Sequence, residues 1–345
     1  MGWIGEVNCI LKGKTTAFFM AGLLLLLSGC QTSENVNREQ EASETASGES
    51  VQPSSEAQEN PVEEESASEK NNQQEDASAG QSEDPGTGED SSQEDSEGDY
   101  VTEGTEEYRG FTLDNVLHSQ AEGDIHYNLY IPDSYDGEAP CAIFFTLPGY
   151  EGLYFQGVGE NLYSENFGFE AQNYDPDMII VAPQLSDWGE TSADQTIALV
   201  EYFLENYNID PDRVYGEGYS GGGETMSQVM GKRPDLFTAY LQCSSQWDGD
   251  YEPVVENRTP VYFVIGESDE YYGSQPTQEA YDNLYELYRQ DGLSDEEISQ
   301  ILVLDIKDAD YFESQGVRVQ HGGGNLFAQD QEIMNWLFSK EKGNV

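Results

Sequence analysis

Six short apolar runs, separated by stretches with helical spacing, limit what this 345-residue chain can fold into more than any other feature. They span residues 141–147, 178–183, 213–218, 238–243, 261–266 and 301–306, and most lack the strict alternation of a strand with one wet face. Strands buried on both faces read this way. Helical patterns at 193–207, 224–231, 278–289 and 329–339 fall between or after the runs, the last with Ile333, Trp336 and Leu337 on one face. Two earlier segments, 108–117 and 125–131, read as a pair of hairpin strands, the second alternating before Pro132. Repeated strand-helix units after a hairpin predict an α/β fold: a mainly parallel, doubly wound sheet with an N-terminal antiparallel hairpin and helices on both faces.

One of these strand-helix joints carries chemistry. Arg213 to Ser220 reads as a strand entering a sharp turn, and Gly221, Gly222 and Gly223 lead into a helix. Glycines two residues either side of Ser220 let strand and helix pass closely, which exposes the serine oxygen at a strained tip. Gly216, Gly218 and Gly221 also spell a dinucleotide-binding fingerprint. That motif normally occupies the first strand-helix turn, however, and at least two strands and a helix precede this one. A serine needs a base to act as a nucleophile, and the chain has three histidines. His118 and His126 fall in the hairpin. His321 follows the last predicted strand in a Gly-rich loop, so it is the expected general base. The acid that orients it is expected at the end of the strand 261–266, where Asp269 has the favoured spacing and Glu270 and Glu267 remain alternates. Backbone donors for an oxyanion are expected at Gly221 and at Tyr150, in the turn Leu147-Pro148-Gly149-Tyr150; Pro148 has no N–H to give. The run His321-Gly322-Gly323-Gly324 imitates an oxyanion motif but lies downstream of the serine, where that motif does not belong.

The order Ser220, Asp269, His321 is that of the α/β-hydrolases. Tyr127 to Pro132, the Leu-Pro-Gly turn, Ile209 to Tyr215, the elbow and the stretch from His321 to Trp336 resemble the esterases grouped with polyhydroxybutyrate depolymerases and feruloyl or acetylxylan esterases. The resemblance covers nearly all of residues 108–345 and implies hydrolysis of a carboxylic ester through an acyl-enzyme. Departures concern substrate more than mechanism: the elbow carries Tyr219 and has Gly221 where that group commonly has Met, and the oxyanion turn lacks its His. Aromatic residues cluster in the loops expected over the site, with Trp188, Trp247 and Tyr272 the candidates for a pocket wall. The acidic residues Asp305, Asp308 and Asp310 lack the spacing of a calcium loop, so neither metal nor cofactor is called for.

The N-terminal third has another character. Lys12 and Lys14 precede the apolar stretch from Ala17 to Leu27, and Leu27-Ser28-Gly29-Cys30 closes it. This reads as a secretory signal over residues 1–29, and its end resembles the lipobox of bacterial lipoproteins. By that resemblance Cys30 is lipidated and anchors the chain at the extracellular face of a membrane. Residues 30–99 are rich in Ser, Glu, Gln, Asp and Gly and hold no aromatic residue, so a disordered acidic tether is expected, with a docking tail for a basic partner the other use of such a run. Residues 100–345 then form the catalytic domain. It holds ten of the chain's 14 Lys and Arg residues within a formal net charge of −54 overall. That balance excludes nucleic acid and favours a neutral or cationic substrate, a small-molecule or polysaccharide-borne ester. Cys141 and Cys243 fall at opposite edges of the predicted sheet and are expected as buried free thiols. Two rival functions remain. A serine peptidase of the same fold usually carries a further domain to screen substrates, for which no residues are left here; a non-catalytic surface binding protein has no need of all three of Ser220, Asp269 and His321.

Overall fold

The computed structural model describes residues 98–343. The signal, Cys30 and almost all of the tether lie outside the described residues. Among those described, ten strands form one sheet. They are β1 Tyr100–Thr102, β2 Glu106–Tyr108, β3 Phe111–Ser119, β4 Gly123–Tyr130, β5 Cys141–Leu147, β6 Ile179–Pro183, β7 Ile209–Tyr219, β8 Ala239–Cys243, β9 Val261–Gly266 and β10 Leu302–Lys307. Their order is β1-β3-β4-β6-β5-β7-β8-β9-β10, with β2 also pairing with β3. From β6 to β10 every pairing is parallel, and the antiparallel β3–β4 hairpin adds to the β6 edge. The short strands β1 and β2 extend the predicted pair; at three residues each they are too brief for alternation to show.

Alternate side chains of the central strands enter two cores. From β5, Ile143, Phe145 and Leu147 join one and Ala142 and Phe144 the other. The helices Glu190–Asn206, Gly221–Lys232 and Gln275–Gln290 close the first core with Leu199, Phe203, Met226, Val229 and Leu284. Phe167, Phe327, Ile333 and Leu337, from the helices Phe167–Ala171, Asn325–Gln329 and Gln331–Phe338, close the second. Continuous apolar runs are the sequence signature of this two-sided burial. Trp336 is only partly buried, so Met334 takes the core place expected for it. Cys141 and Cys243 are buried free thiols, one in each core. No helix among the described residues is long and apolar enough to cross a membrane.

The strand order reverses between β5 and β7: the chain steps outward from β5 to β6, then crosses back to β7 and proceeds the other way. Loops leaving the carboxyl ends of these two strands diverge to opposite faces and leave a crevice. The turn after β5 and the elbow after β7 meet there.

Candidate active site

Ser220 sits at the tip between β7 and the helix Gly221–Lys232 with φ 53° and ψ −123°, a conformation that costs a non-glycine residue energy and persists only where the surroundings fix it. Its N–H donates to the Cys243 carbonyl at 2.9 Å, and its carbonyl accepts from Ser245 Oγ at 2.6 Å. A Cβ on Gly222 would lie 2.2 Å from the Leu147 carbonyl oxygen, and one on Gly218 would lie 2.5 Å from that of Gly222. The glycines are therefore required by close approach. The helix begins at Gly221, three residues before its predicted start, because this packing overrides the poor helix propensity of glycine.

Ser220 Oγ lies 3.0 Å from His321 Nε2, and His321 Nδ1 lies 2.9 Å from Asp269 Oδ2. The other Asp269 oxygen accepts the N–H groups of Tyr271 and Tyr272 at 3.0 and 2.9 Å, so the buried carboxylate is fixed in direction. Of the alternates, Glu270 turns to the backbone instead: it accepts from His321 N at 2.9 Å and Gln320 N at 3.1 Å. The His321 N–H holds the Glu270 carboxyl below its ordinary value, burial opposes, and the Gln320 N–H adds to the lowering. Glu267 is exposed. The Tyr219 hydroxyl donates to the His321 carbonyl, and Tyr219 and Tyr271 flank the imidazole at 5.8 and 5.3 Å between ring centroids. His321 to Gly323 form a short helical turn, and Gly324 packs against Tyr219, so the Gly-rich run serves this loop. His118 and His126 lie on β3 and β4, each 2.7 Å from an aspartate, Asp124 and Asp114.

The turn after β5 comes alongside: a Cβ on Gly149 would lie 3.2 Å from Ser220 Cβ. Tyr150 opens the short helical turn Tyr150–Gly152, and Gly221 opens its helix, so both N–H groups stand at helix starts that lack internal partners. Around Ser220 opens a cavity of about 530 Å³. Tyr150 and Trp188 line one side and Tyr271 and Tyr272 are also in its wall. Three carboxyl side chains, Glu151, Glu165 and Glu224, join them, with no Lys or Arg. Trp188 lies so close over Gly221 that a Cβ there would be 1.8 Å from its indole nitrogen, which is buried without a hydrogen-bond partner. The Tyr272 hydroxyl donates to Glu224 Oε1 at 2.8 Å. Burial raises the Glu224 carboxyl above its ordinary value, against the Tyr272 hydrogen bond.

Trp247 corrects the sequence reading. It is absent from the cavity wall and packs in the core, stacked on Tyr251 at 5.6 Å and near Phe263 at 5.8 Å, with its N–H donated to the Gly249 carbonyl. After β8 the chain turns at Ser244, φ 44°, and residues 248–249 run back over the helix Gly221–Lys232, where Asp248 N donates to Ser227 Oγ. Sequence reasoning also passed over Glu165, Glu224 and Asn325 in the cavity wall. Nothing in the local sequence marks Glu165 or Asn325, which cap and open five-residue helices, whereas Glu224 lies one turn beyond Ser220 in the helix Gly221–Lys232, a spacing that could have marked it.

The profile of the prolyl oligopeptidase family matches residues 185–293, which contain the elbow and the Asp269 loop. Feruloyl esterase B of Thermothelomyces thermophilus is 27% identical over 132 residues, or 34% of this chain and 42% of that protein. The crystal structure of a thermostable esterase is 20% identical, covers 68% of this chain and 63% of its own, and superposes with a TM-score of 0.53. The chain thus spans less than two thirds of the length of either relative. With the sheet order above, the likeness establishes the α/β-hydrolase fold. The relatives include esterases, and the matched profile is that of a peptidase-named family.

Proposed function

We propose that this chain is a serine hydrolase that cleaves carboxylic esters, exported and held at a bacterial membrane surface through Cys30. The observation that carries the reading is the unbroken chain of contacts from Ser220 to His321 to Asp269, set beside the turn holding Tyr150. His321 Nε2 takes the Ser220 hydroxyl proton as Oγ attacks the ester carbonyl carbon. The carbonyl oxygen becomes an oxyanion facing the N–H groups of Tyr150 and Gly221. Collapse breaks the bond to the alcohol oxygen, and His321 returns the proton to that leaving group. Water then repeats the sequence on the acyl-enzyme, releasing the acid and restoring Ser220. Asp269 keeps the imidazole in the tautomer with its proton on Nδ1 and stabilises the imidazolium.

Aromatic walls suit a flat or sugar-borne ester, and the similarity to feruloyl esterase B favours feruloyl or acetyl groups on polysaccharide, with hydroxyalkanoate esters the further candidates. Hydrolysis of short p-nitrophenyl esters tests the reading, with Ser220→Ala expected to lower kcat by at least ~10⁴-fold. His321→Ala is expected to abolish turnover, while His118→Ala and His126→Ala retain most of it. A wild-type chain that neither hydrolyses these esters nor reacts with a fluorophosphonate probe sinks the proposal. The profile match to the prolyl oligopeptidase family favours a second reading, cleavage of peptides by the same residues. Peptide anilides turned over faster than the matched esters would decide for it.

A further inference from the structure

Glu165 is a buried carboxyl in the cavity wall to which the acyl-transfer scheme gives no task. It follows the helix Glu160–Ser164, and its Oε1 accepts the N–H of Gly149 at 2.8 Å. Gly149 is the residue before Tyr150, and its ψ, −165°, sets where the Tyr150 N–H points. A glycine restrains that angle poorly by itself, so the direction of the donor depends on an outside hold. Pro148, with no N–H, offers none. The segment bearing Glu165 is tied down on both sides: Asn325 Oδ1 accepts from Asn166 N, and Asn325 Nδ2 donates to the Ser164 carbonyl, each at 2.8 Å. Asn325 lies four residues beyond His321. One short segment therefore joins the oxyanion turn to the loop of the base.

We propose that Glu165 is a positioning residue, whose carboxyl holds the Gly149 N–H so that the Tyr150 N–H faces the carbonyl oxygen of an ester bound at Ser220. The proposal rests on the reading of Ser220 as nucleophile. A neutral carboxyl does this without setting a negative charge behind the developing oxyanion. Burial pushes Glu165 up to about 8, the Gly149 N–H lowers it and Glu151 raises it further. The other groups that face it are Glu217 and Tyr219 of β7 and Cys243 of β8. Each carries no positive charge. Near neutral pH Glu165 is thus mostly protonated, and as pH rises through about 8 it ionises beside the oxyanion site. Turnover is expected to fall over that range.

The test compares the full wild-type chain with Glu165→Leu, which keeps the bulk and removes the acceptor, and Glu165→Gln, which keeps an acceptor that cannot ionise. With p-nitrophenyl acetate at pH 7, Leu is expected to lower kcat by about 10²-fold with KM changed less than about threefold, the size of effect seen when an oxyanion donor is lost. Gln is expected to recover most of that loss, and to lack the alkaline fall in kcat that wild type shows. Leu with unchanged kcat, Leu and Gln equally impaired, or a rise in KM alone overturns the proposal while leaving the nucleophile reading intact. Should Leu fail to fold by circular dichroism, the wild-type and Gln profiles decide, and an alkaline limb common to both overturns it. A wild type inert to ester and fluorophosphonate removes the nucleophile reading and this proposal together.

Discussion

Gly221 follows the candidate nucleophile, and the space its side chain would fill belongs to Trp188. That explains, in steric terms, why the larger residue common at this place in the resembled esterases is missing: the indole has taken its room. Gly221→Ala puts a methyl 1.8 Å from the indole nitrogen, so the ring must leave the cavity wall. We expect a loss of about 1–3 kcal/mol in denaturant unfolding, as for other overpacked sites, and a drop in kcat/KM. Trp188→Ala in the same background is expected to restore the stability. Additive losses in that double-mutant cycle would refute the steric account. At this scale the sequence identified residue types and their order but not side-chain direction. Asp269 and Glu270 are neighbours with the same charge; that one faces the imidazole and the other the backbone of the same histidine is decided by the turn after β9, which no spacing rule encodes.

Elements were legible where a period had room to repeat. The six apolar runs match β5 to β10 within a few residues, although β10, at the edge of the sheet, buries only Leu302 fully, and the long helices were visible from their spacing. Helices of five or six residues, such as Phe167–Ala171 and Glu252–Asn257, complete too little of a second turn to leave a pattern. Trp247 was misplaced for a related reason, since nearness to a strand end says nothing of where the chain turns next. The loop carrying Tyr150 is held by polar side chains equally hard to foresee. Buried Gln184 donates to the carbonyls of Gly152 and Gly157, both at 3.0 Å, and accepts from Gly159 N at 2.7 Å. Asn161, bonded to Asn128 at 2.7 Å, ties the same loop to β4 and β6. Gln184→Leu strands three backbone groups, each worth about 1–3 kcal/mol if it stays dry. We expect a lower urea midpoint and faster proteolysis between residues 150 and 159. A midpoint equal to that of wild type would mean that water replaces the side chain at no loss.

Across the whole molecule, charge and topology converge on one face. The reversal between β5 and β7 opens the crevice, and beside the neutral Glu165 the carboxyl side chains of Glu151 and Glu224 but no Lys or Arg line it, within a chain of net charge −54. A low-dielectric cleft lined by one sign of charge focuses the field of the surrounding surface. An ester bearing its own carboxylate meets that field on approach, whereas a neutral ester of similar size does not. Mono-p-nitrophenyl glutarate and p-nitrophenyl butyrate form such a pair. At low salt the glutarate is expected to show the lower kcat/KM, on the order of tenfold, because the Debye length of about 30 Å at 0.01 M lets distant acidic groups act. Raising the salt to 1 M contracts that length to about 3 Å, so the glutarate rate is expected to rise toward the butyrate rate while the latter stays flat. Glu224→Gln is expected to narrow the low-salt gap in proportion to the charge that this half-buried side chain carries. Equal salt dependence for both esters would show that the acidity of the domain serves solubility alone and takes no part in choosing its substrate.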